Sequence, residues 1–468
     1  MPQPVFFVTD LLFFVLLAVA LGYVLYARRH EHLRAPWRAV ARDRLAMVAA
    51  VCLGFYSAVA LLDSIHYRQR LGDGPDGQVQ YAMEVLSLLD TAMGQIRTQV
   101  ETTYSAPLAL RSYAKVTEER PDGAKVRLHP RLQFAAPGLE DTEHLPDLLA
   151  TMTRGLAEGL AAAAAVCLVL VAGLARRAGR SLAAQWAEIR RGQTSIPWGT
   201  VLLAIAVGVV AVVLCARLGV RYHLFGTDKV GQDVFFQAVK SIRTGLVIGT
   251  LTTLLMLPFA LALGLMAGYF GGLVDDFIQY LYTTLSSIPG VLLIAAAILV
   301  LQAYLAAHED RFLSLAERAD LRLLFLCIIL GITSWTGLCR LLRAETLKLR
   351  EQDYVAAAVA FGVGSTGVMA RHILPNVFHI VLIAVVLDFS DLVLAEAVLS
   401  YINIGVDPTM QSWGNMINAA RMELAREPVI WWSLTAAFGF MFVLVLAANL
   451  FADAVRDAFD PRLRQRIG

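Results

Sequence analysis

The chain is short of charge. Asp, Glu, Lys and Arg make up 17% of its 468 residues, against 57% hydrophobic residues, and the mean hydropathy is +0.61. A soluble domain rarely averages so apolar a composition. The apolar residues form continuous runs of about 20 positions, enough to cross a hydrocarbon core as helices. They do not alternate with polar residues, which excludes a transmembrane β-barrel. A formal net charge of +2 provides no basic footprint for nucleic acid. The sequence has no GxxxxGK[ST] phosphate cradle, no HExxH and no zinc-type Cys/His spacing, so it predicts neither an ATPase nor a bound metal or cofactor. Only five cysteines occur (Cys52, Cys167, Cys215, Cys327 and Cys339), all in or beside apolar segments, which argues against a disulfide framework. A signal peptide is not expected, because the basic cluster follows the first apolar run instead of preceding it; 5–26 reads as a retained anchor. There is no internal repeat and no low-complexity tract.

Nine spans are expected, at about 5–26, 45–62, 156–175, 199–217, 243–267, 277–303, 322–342, 377–400 and 429–451. The positive-inside rule orients them. Arg28, Arg29, Arg34, Arg38, Arg42 and Arg44 follow the first span, and Arg176, Arg177, Arg180, Arg190 and Arg191 follow the third. Arg340, Arg343, Lys348, Arg350 and Arg371 flank a later loop, and Arg456, Arg462, Arg464 and Arg466 follow the last span. All four clusters agree with one alternating topology, N-terminus outside and C-terminus inside. The expected organisation is two helices over 1–62, an extracytoplasmic segment over 63–155, a third helix and cytoplasmic linker over 156–198, and a six-span part over 199–468.

Within the six-span part, 353–376 reads DYVAAAVAFGVGSTGVMARHILPN, a moderately polar loop between strongly apolar segments. Asp353 is an expected helix cap, and Ala356, Ala357, Ala358, Val359 and Ala360 are mostly strong helix formers. Gly362 or Gly364 can end that helix in a left-handed conformation. Ser365 or Thr366 can cap a second helix, expected to stop near Pro375. Arg371 and His372 put donors near that end. The result is a helical knuckle suited to docking a soluble partner. Gly362, Gly364 and Gly367 also spell GxGxxG, but a helix precedes them where a dinucleotide fingerprint needs a strand.

The knuckle resembles the coupling (EAA) loop of permease subunits of bacterial ABC importers. The family pattern is Glu-Ala-Ala, three residues, Gly and, about ten residues later, Ile-Leu-Pro. Ala357, Ala358, Gly362, Ile373, Leu374, Pro375 and Asn376 match, while Ala356 replaces the family glutamate and its polar contact to the ATPase. Further motifs resemble the second permease of oligopeptide/dipeptide-type importers. His223 to Val234, HLFGTDKVGQDV, retains Gly226, Thr227, Asp228, Gly231, Asp233 and Val234 of one signature, with Gln232 for the usual Arg. Ala267 to Asp275 (AGYFGGLVD), the Ser412-Trp413-Gly414 group and Arg456, Asp457, Asp460, Pro461 and Arg462 match others.

The resemblance implies an all-α polytopic protein of the bacterial inner membrane. Its core would be a six-helix type I importer permease, preceded here by three extra transmembrane helices and a mostly helical extracytoplasmic insert. Implied partners are a second permease, two cytoplasmic ATPases that use ATP and Mg, an extracytoplasmic substrate-binding protein and the lipid bilayer, with no nucleic acid. Implied coupling residues are Tyr354, Ala357, Ala358, Gly362, Arg371 and Pro375.

Three further features follow from the residues themselves. Gly264, Gly268 and Gly272 form successive small-xxx-small units for close helix packing, and Gly226-Thr227-Asp228 reads as a capped turn. Asp388, Asp391 and Glu396 are ionisable groups inside a span and therefore candidates for the translocation path. In the outer segment, Val79, Met83, Leu86, Leu89, Met93, Ile96 and Val100 recur at three- and four-residue steps and predict an amphipathic helix. Pro121-Asp122-Gly123 and Pro130 mark turns after it. The segment reads as a structural cover or as a docking platform for a binding protein. Two alternative functions are a proton-coupled secondary transporter using the three carboxylates, and a membrane sensor or scaffold with the outer segment as its input.

Overall fold

The computed structural model describes residues 2–73, 79–119, 125–308 and 314–459. The turn expected at Pro121-Asp122-Gly123 and the C-terminal positions Asp460, Pro461, Arg462, Arg464 and Arg466 lie outside the described residues. A short strand β1 (Gln3–Val5) precedes α1 (Val8–Arg29), α2 (Glu31–Val40) and α3 (Arg44–Asp63). The segment expected to lie outside holds β2 (His66–Asp73), β3 (Val79–Ser87), α4 (Leu88–Ala92), α5 (Gly94–Thr98), β4 (Val116–Glu119) and β5 (Lys125–Leu128). There follow α6 (His144–Ala178), α7 (Leu182–Arg190), α8 (Trp198–Arg221), α9 (Val234–Phe270), α10 (Gly272–Ser287), α11 (Gly290–Ala307) and α12 (Leu315–Arg350). The chain ends in α13 (Asp353–Ala360), α14 (Ser365–Val368), α15 (Leu374–Tyr401), α16 (Trp413–Glu423) and α17 (Trp432–Phe459). Among the described residues nine helices are long and apolar enough to cross a membrane. They are α1, α3 and α6, then α8, α9, α11, α12, α15 and α17, which gives the expected three plus six.

Two sequence expectations fail locally. The span expected at 277–303 is broken at Ile288-Pro289 into α10 and α11, because proline cannot donate to the helical ladder and pushes its predecessor into extended backbone. The amphipathic helix expected from Val79 to Val100 is a strand followed by two helical turns. Val79–Ser87 pairs antiparallel with His66–Asp73 in a three-stranded sheet of order β1-β2-β3. Ser87 then starts α4 through a capping box with Asp90. The three/four spacing is coincidental there: Met83 is 93% exposed, whereas Leu89 and Ile96 are buried. The insert is thus mixed α and β.

The chain forms two compact units. One comprises Val5–Val40, Gly245–Met410 and the chain from Ala448 onward. Its interior joins α9, α10, α12, α13, α14 and α15 in one apolar cluster that includes Met256, Ile278, Trp335, Leu342, Val355 and Ile373. Gly264 and Gly268 lie against α12: a Cβ at Gly264 would sit 2.8 Å from Leu342 Cβ, and one at Gly268 2.5 Å from Thr346 Cβ. Gly272 belongs to the following helix and has open space around it, so the small-residue contact ends at Gly268. Asp275 of α10 accepts a bidentate pair from Arg343 of α12, at 2.5 and 2.6 Å. The added helix α1 is also anchored here. No side chain caps it at Phe7. Instead the buried Asp320 of α12 accepts from the amides of Val8 (3.1 Å) and Thr9 (3.3 Å) and from the Thr9 hydroxyl, capping α1 from another helix.

The other unit comprises Met1–Pro4, Ala41–Thr244 and Gln411–Ala447. In it α8 packs on α6 and α3. Gly155 and Gly159 of α6 meet Leu214 and Val210 of α8, and Gly208 of α8 faces the Phe55 ring of α3. The outer segment adds a small core of Leu110, Leu132, Ala135, Ala136 and Tyr222.

The Gly226-Thr227-Asp228 turn belongs to this unit. Gly226 and Gly231 have φ of 69° and 77°, left-handed values that glycine adopts without strain. Asp228 Oδ1 accepts from the amides of Val230 (3.0 Å) and Gln232 (2.8 Å). Thr227 Oγ1 accepts from Ser105 N at 2.7 Å and donates to Thr103 O at 2.8 Å, while Trp432 Nε1 donates to Thr227 O at 3.0 Å. The outer segment therefore grips the turn through its backbone, and a Cβ at Gly226 or Gly231 would collide with the carbonyl oxygens of Ser105 or Glu101.

Beside this turn, His223 is fully buried between two carboxylates. Nδ1 lies 2.9 Å from Asp233 Oδ2 and Nε2 lies 3.4 Å from Glu101 Oε1. Glu101 also accepts from the amides of Gln133 (2.9 Å) and Phe134 (2.8 Å). Burial alone would lower the imidazole pKa, but the bonds and charges of Asp233 and Glu101 outweigh it and raise the value from 6.5 to about 9. Burial likewise opposes ionisation of Glu101, yet the His223 and backbone bonds hold its pKa below the ordinary value. A raised histidine stabilises fully below its ordinary pKa of 6.5 and loses that contribution as pH rises through about 9. A lowered carboxyl loses its contribution on acidification below its ordinary value. Protection of the amides over 223–233, measured against their intrinsic exchange rates at each pH, is therefore expected to hold at neutral pH and to fall in a step above about pH 9. His223→Gln should remove the alkaline step, and an unchanged step in that variant would show that another group controls it.

Candidate functional site

The candidate site is the knuckle between α12 and α15. Two residues separate it from the end of α12, a 36-residue helix whose last turn carries Lys348 and Arg350. Asp353 is the first residue of α13 and does not cap it: the N-cap is Gln352, with no side-chain bond. Its carboxylate still favours the helix start through the macrodipole. The far end is closed by backbone alone. Val363 N donates to Ala358 O at 3.1 Å and Gly362 N to Val359 O at 3.0 Å, with Gly362 at φ 79°. That is the paired 6→1 and 5→2 pattern of a Schellman turn. Of the two candidate glycines, Gly362 is the left-handed one. Gly364 is extended and precedes α14 without a side-chain cap, so neither Ser365 nor Thr366 caps it.

The second helix does not stop at Pro375. A π-helical turn, Met369–Ile373, leads directly into α15, with Pro375 in the first turn of that helix. Proline's missing N–H is harmless at a helix start, and the wider turn accommodates the ring. Asn376 Nδ2 donates to His372 O at 2.6 Å and to the Tyr354 hydroxyl at 3.1 Å, tying α13 to the base of α15.

The expected coupling residues divide by burial. Tyr354, Ala357, Gly362, Arg371 and Pro375 are exposed, as is Ala356. Ala358 is buried with Val355 in the unit's own core, so it shapes the knuckle from behind. Phe361 is 89% exposed and Val359 50%. Phe361 is not among the expected coupling residues, although a bulky aromatic directly before the turn glycine in an alanine-rich segment is a usable signal. The surface offered outward is thus apolar, flanked by the Arg371 guanidinium and the Tyr354 ring.

The three carboxylates of α15 do not form one group. Glu396 is 2% exposed and accepts from Ser400 Oγ at 2.7 Å. Asp388 is half-buried and Asp391 is exposed. No arginine, lysine or histidine among the described residues pairs with either aspartate. Two of the three therefore share an accessible side of the helix, and the third lies inside the packed unit.

Comparisons with known proteins bear on the C-terminal half of the chain. A family described as "Binding-protein-dependent transport system inner membrane component" matches residues 260–465, which include the whole knuckle. The oligopeptide transport system permease protein OppC of Bacillus subtilis is 28% identical over 243 residues, covering 52% of this chain and 73% of that protein. A putative peptide permease protein of Brucella suis is 31% identical over 240 residues, 51% of this chain and 73% of the relative. The dipeptide transport system permease protein DppC of Lactococcus lactis is 30% identical over 240 residues, 51% and 64% of the two chains. In each case about half of this chain is left uncovered. On the match to the Brucella protein and the nine apolar helices, the chain belongs to the binding-protein-dependent inner membrane transport components and is a multi-pass permease subunit of an ABC importer.

Proposed function

We propose that this permease forms half of a translocation pathway for peptides or similar small solutes. The other half would come from a second permease. Two cytoplasmic ATPases, which would hold the ATP and Mg, would drive it, and an extracytoplasmic binding protein would deliver the solute. The N-terminus faces outward and the C-terminus inward in this reading, following the arginine distribution. Residues 199–468 act as the transporting core, with 63–155 outside the membrane and 156–198 returning the chain to the cytoplasmic side. The names of the relatives support peptides as the substrate class.

The observation that carries the proposal is the knuckle's exposed apolar tip, Val359 and Phe361, on a backbone-closed turn continuous with the packed unit. ATPase closure would push on this tip. The apolar cluster running from α13 into α9, α12 and α15 would pass the displacement into the membrane as a rigid-body motion. Tyr354, Ala357, Gly362, Arg371 and Pro375 are the proposed contact and hinge positions, with Ala358 supporting them. Asp388 and Asp391 are proposed to face the pathway and to favour cationic or amine-bearing solutes, since an unpaired carboxylate in a span needs water or a counter-charge.

Three results test this reading. A mild-detergent pull-down of the tagged chain from its native membrane is expected to recover a second permease and ATPases; recovery of the chain alone, even after crosslinking, would favour a self-sufficient secondary transporter. Gly362→Pro cannot adopt φ 79° and is expected to insert normally while abolishing ATP-coupled uptake. Normal uptake in that variant would misplace the coupling turn. The Asp388→Asn/Asp391→Asn pair is expected to lose preference for cationic over neutral analogues at unchanged expression, and retained selectivity would remove these residues from the pathway.

A further inference from the structure

The end of α1 and the short α2 carry a charge pattern that the transport reading leaves unused. Arg28 and Arg29 close α1, and Arg34 and Arg38 lie one turn apart on α2; all four are exposed. Glu31 is the sole acidic residue between Asp10 and Asp43 in the sequence, and no carboxylate among the described residues pairs with any of the four. Three residues of α2 are turned inward. Pro36 and Val40 are buried, and the Trp37 ring meets Phe459 edge-on at 5.5 Å and Tyr23 at 6.5 Å. Tyr23 in turn lies 6.0 Å from Phe378. This aromatic wedge fixes α2 on its unit, so that residues 34, 35, 38 and 39 form one outward face.

The positive-inside rule explains why arginines follow α1. It does not require a folded helix that turns two of them to one exposed face a few residues after two more. Guanidinium groups bind phosphate through paired N–H donors, and a basic cluster at the end of a membrane helix attracts anionic lipid. We propose that Arg28, Arg29, Arg34 and Arg38 form a binding surface for the phosphodiester headgroups of anionic phospholipid, which seats α2 against the membrane surface. Through Tyr23 and Phe378 this seat contacts the start of α15, immediately after the knuckle. The inference needs neither the proposed topology nor the peptide substrate, because vesicles can present the lipid on both faces.

The full chain would be reconstituted in vesicles of phosphatidylcholine alone and of phosphatidylcholine with phosphatidylglycerol, and amide exchange followed over 28–40. Slower exchange with phosphatidylglycerol is expected. Arg34→Gln/Arg38→Gln should abolish the difference and lower phospholipid retention in native mass spectrometry on the order of tenfold; Arg34→Lys/Arg38→Lys should keep part of both. Equal exchange in the two vesicle types overturns the proposal, as does slowing that survives the glutamine variant. Slowing by inorganic phosphate in phosphatidylcholine vesicles would identify a soluble-anion site instead and overturn the lipid assignment. If the glutamine variant inserts poorly, the comparison of the two lipids with the unmodified chain still decides.

Discussion

Helices in hydrocarbon gain little by burying apolar surface against each other, since lipid is as apolar as leucine; association rests on how closely their backbones approach. Here that approach is set at Gly264 and Gly268, where α9 lies on α12 with no room for a Cβ. The same two helices share the cluster that continues through Val355 and Ala358 into the knuckle, and the Arg343–Asp275 pair fixes α10 to α12 just before it. The exposed turn is therefore an outcrop of the membrane-packed core. A larger residue at either glycine would separate the helices and loosen the base on which the knuckle stands.

Features governed by local chemistry could be read from the sequence. Long apolar runs announced the nine apolar helices, the glycines at 362 and 364 announced a left-handed turn without saying which of them makes it, and the Gly226-Thr227-Asp228 turn has its side-chain cap. Features decided by distant partners could not. Val79 to Val100 has helical spacing, but the pairing of Val79–Ser87 with His66–Asp73 is a long-range choice that periodicity does not encode. Asp353 looked like a cap because of its residue type, yet the chain enters α13 one residue earlier, at Gln352. Pro375 looked like a terminator because a π turn before it cannot be anticipated from propensity. All three carboxylates of α15 are candidates for the path as ionisable groups in a span, and packing is what buries Glu396 and leaves Asp391 exposed.

The added N-terminal part is bonded into the permease at buried polar points. Asp320 caps α1 from α12, and Glu101 completes the buried bridge at His223. Each is a charged group whose burial is costly unless its partners are present, so removing either partner leaves an uncompensated charge inside the protein. The turn around Asp228 is thereby joined to residues more than a hundred positions earlier in the chain. In this chain the outer segment and the turn it grips form one structural element.

The Schellman turn at Gly362 is closed by main-chain bonds and one glycine, with no side-chain cap at either α13 or α14. Shape and surface chemistry are therefore separable there. Alanine at 356 in place of the family's glutamate leaves the bend intact, and residues 357, 359 and 361 could be exchanged on the same terms. The chemistry a partner would meet can thus be rewritten on the outside of the turn while its backbone frame stays the same.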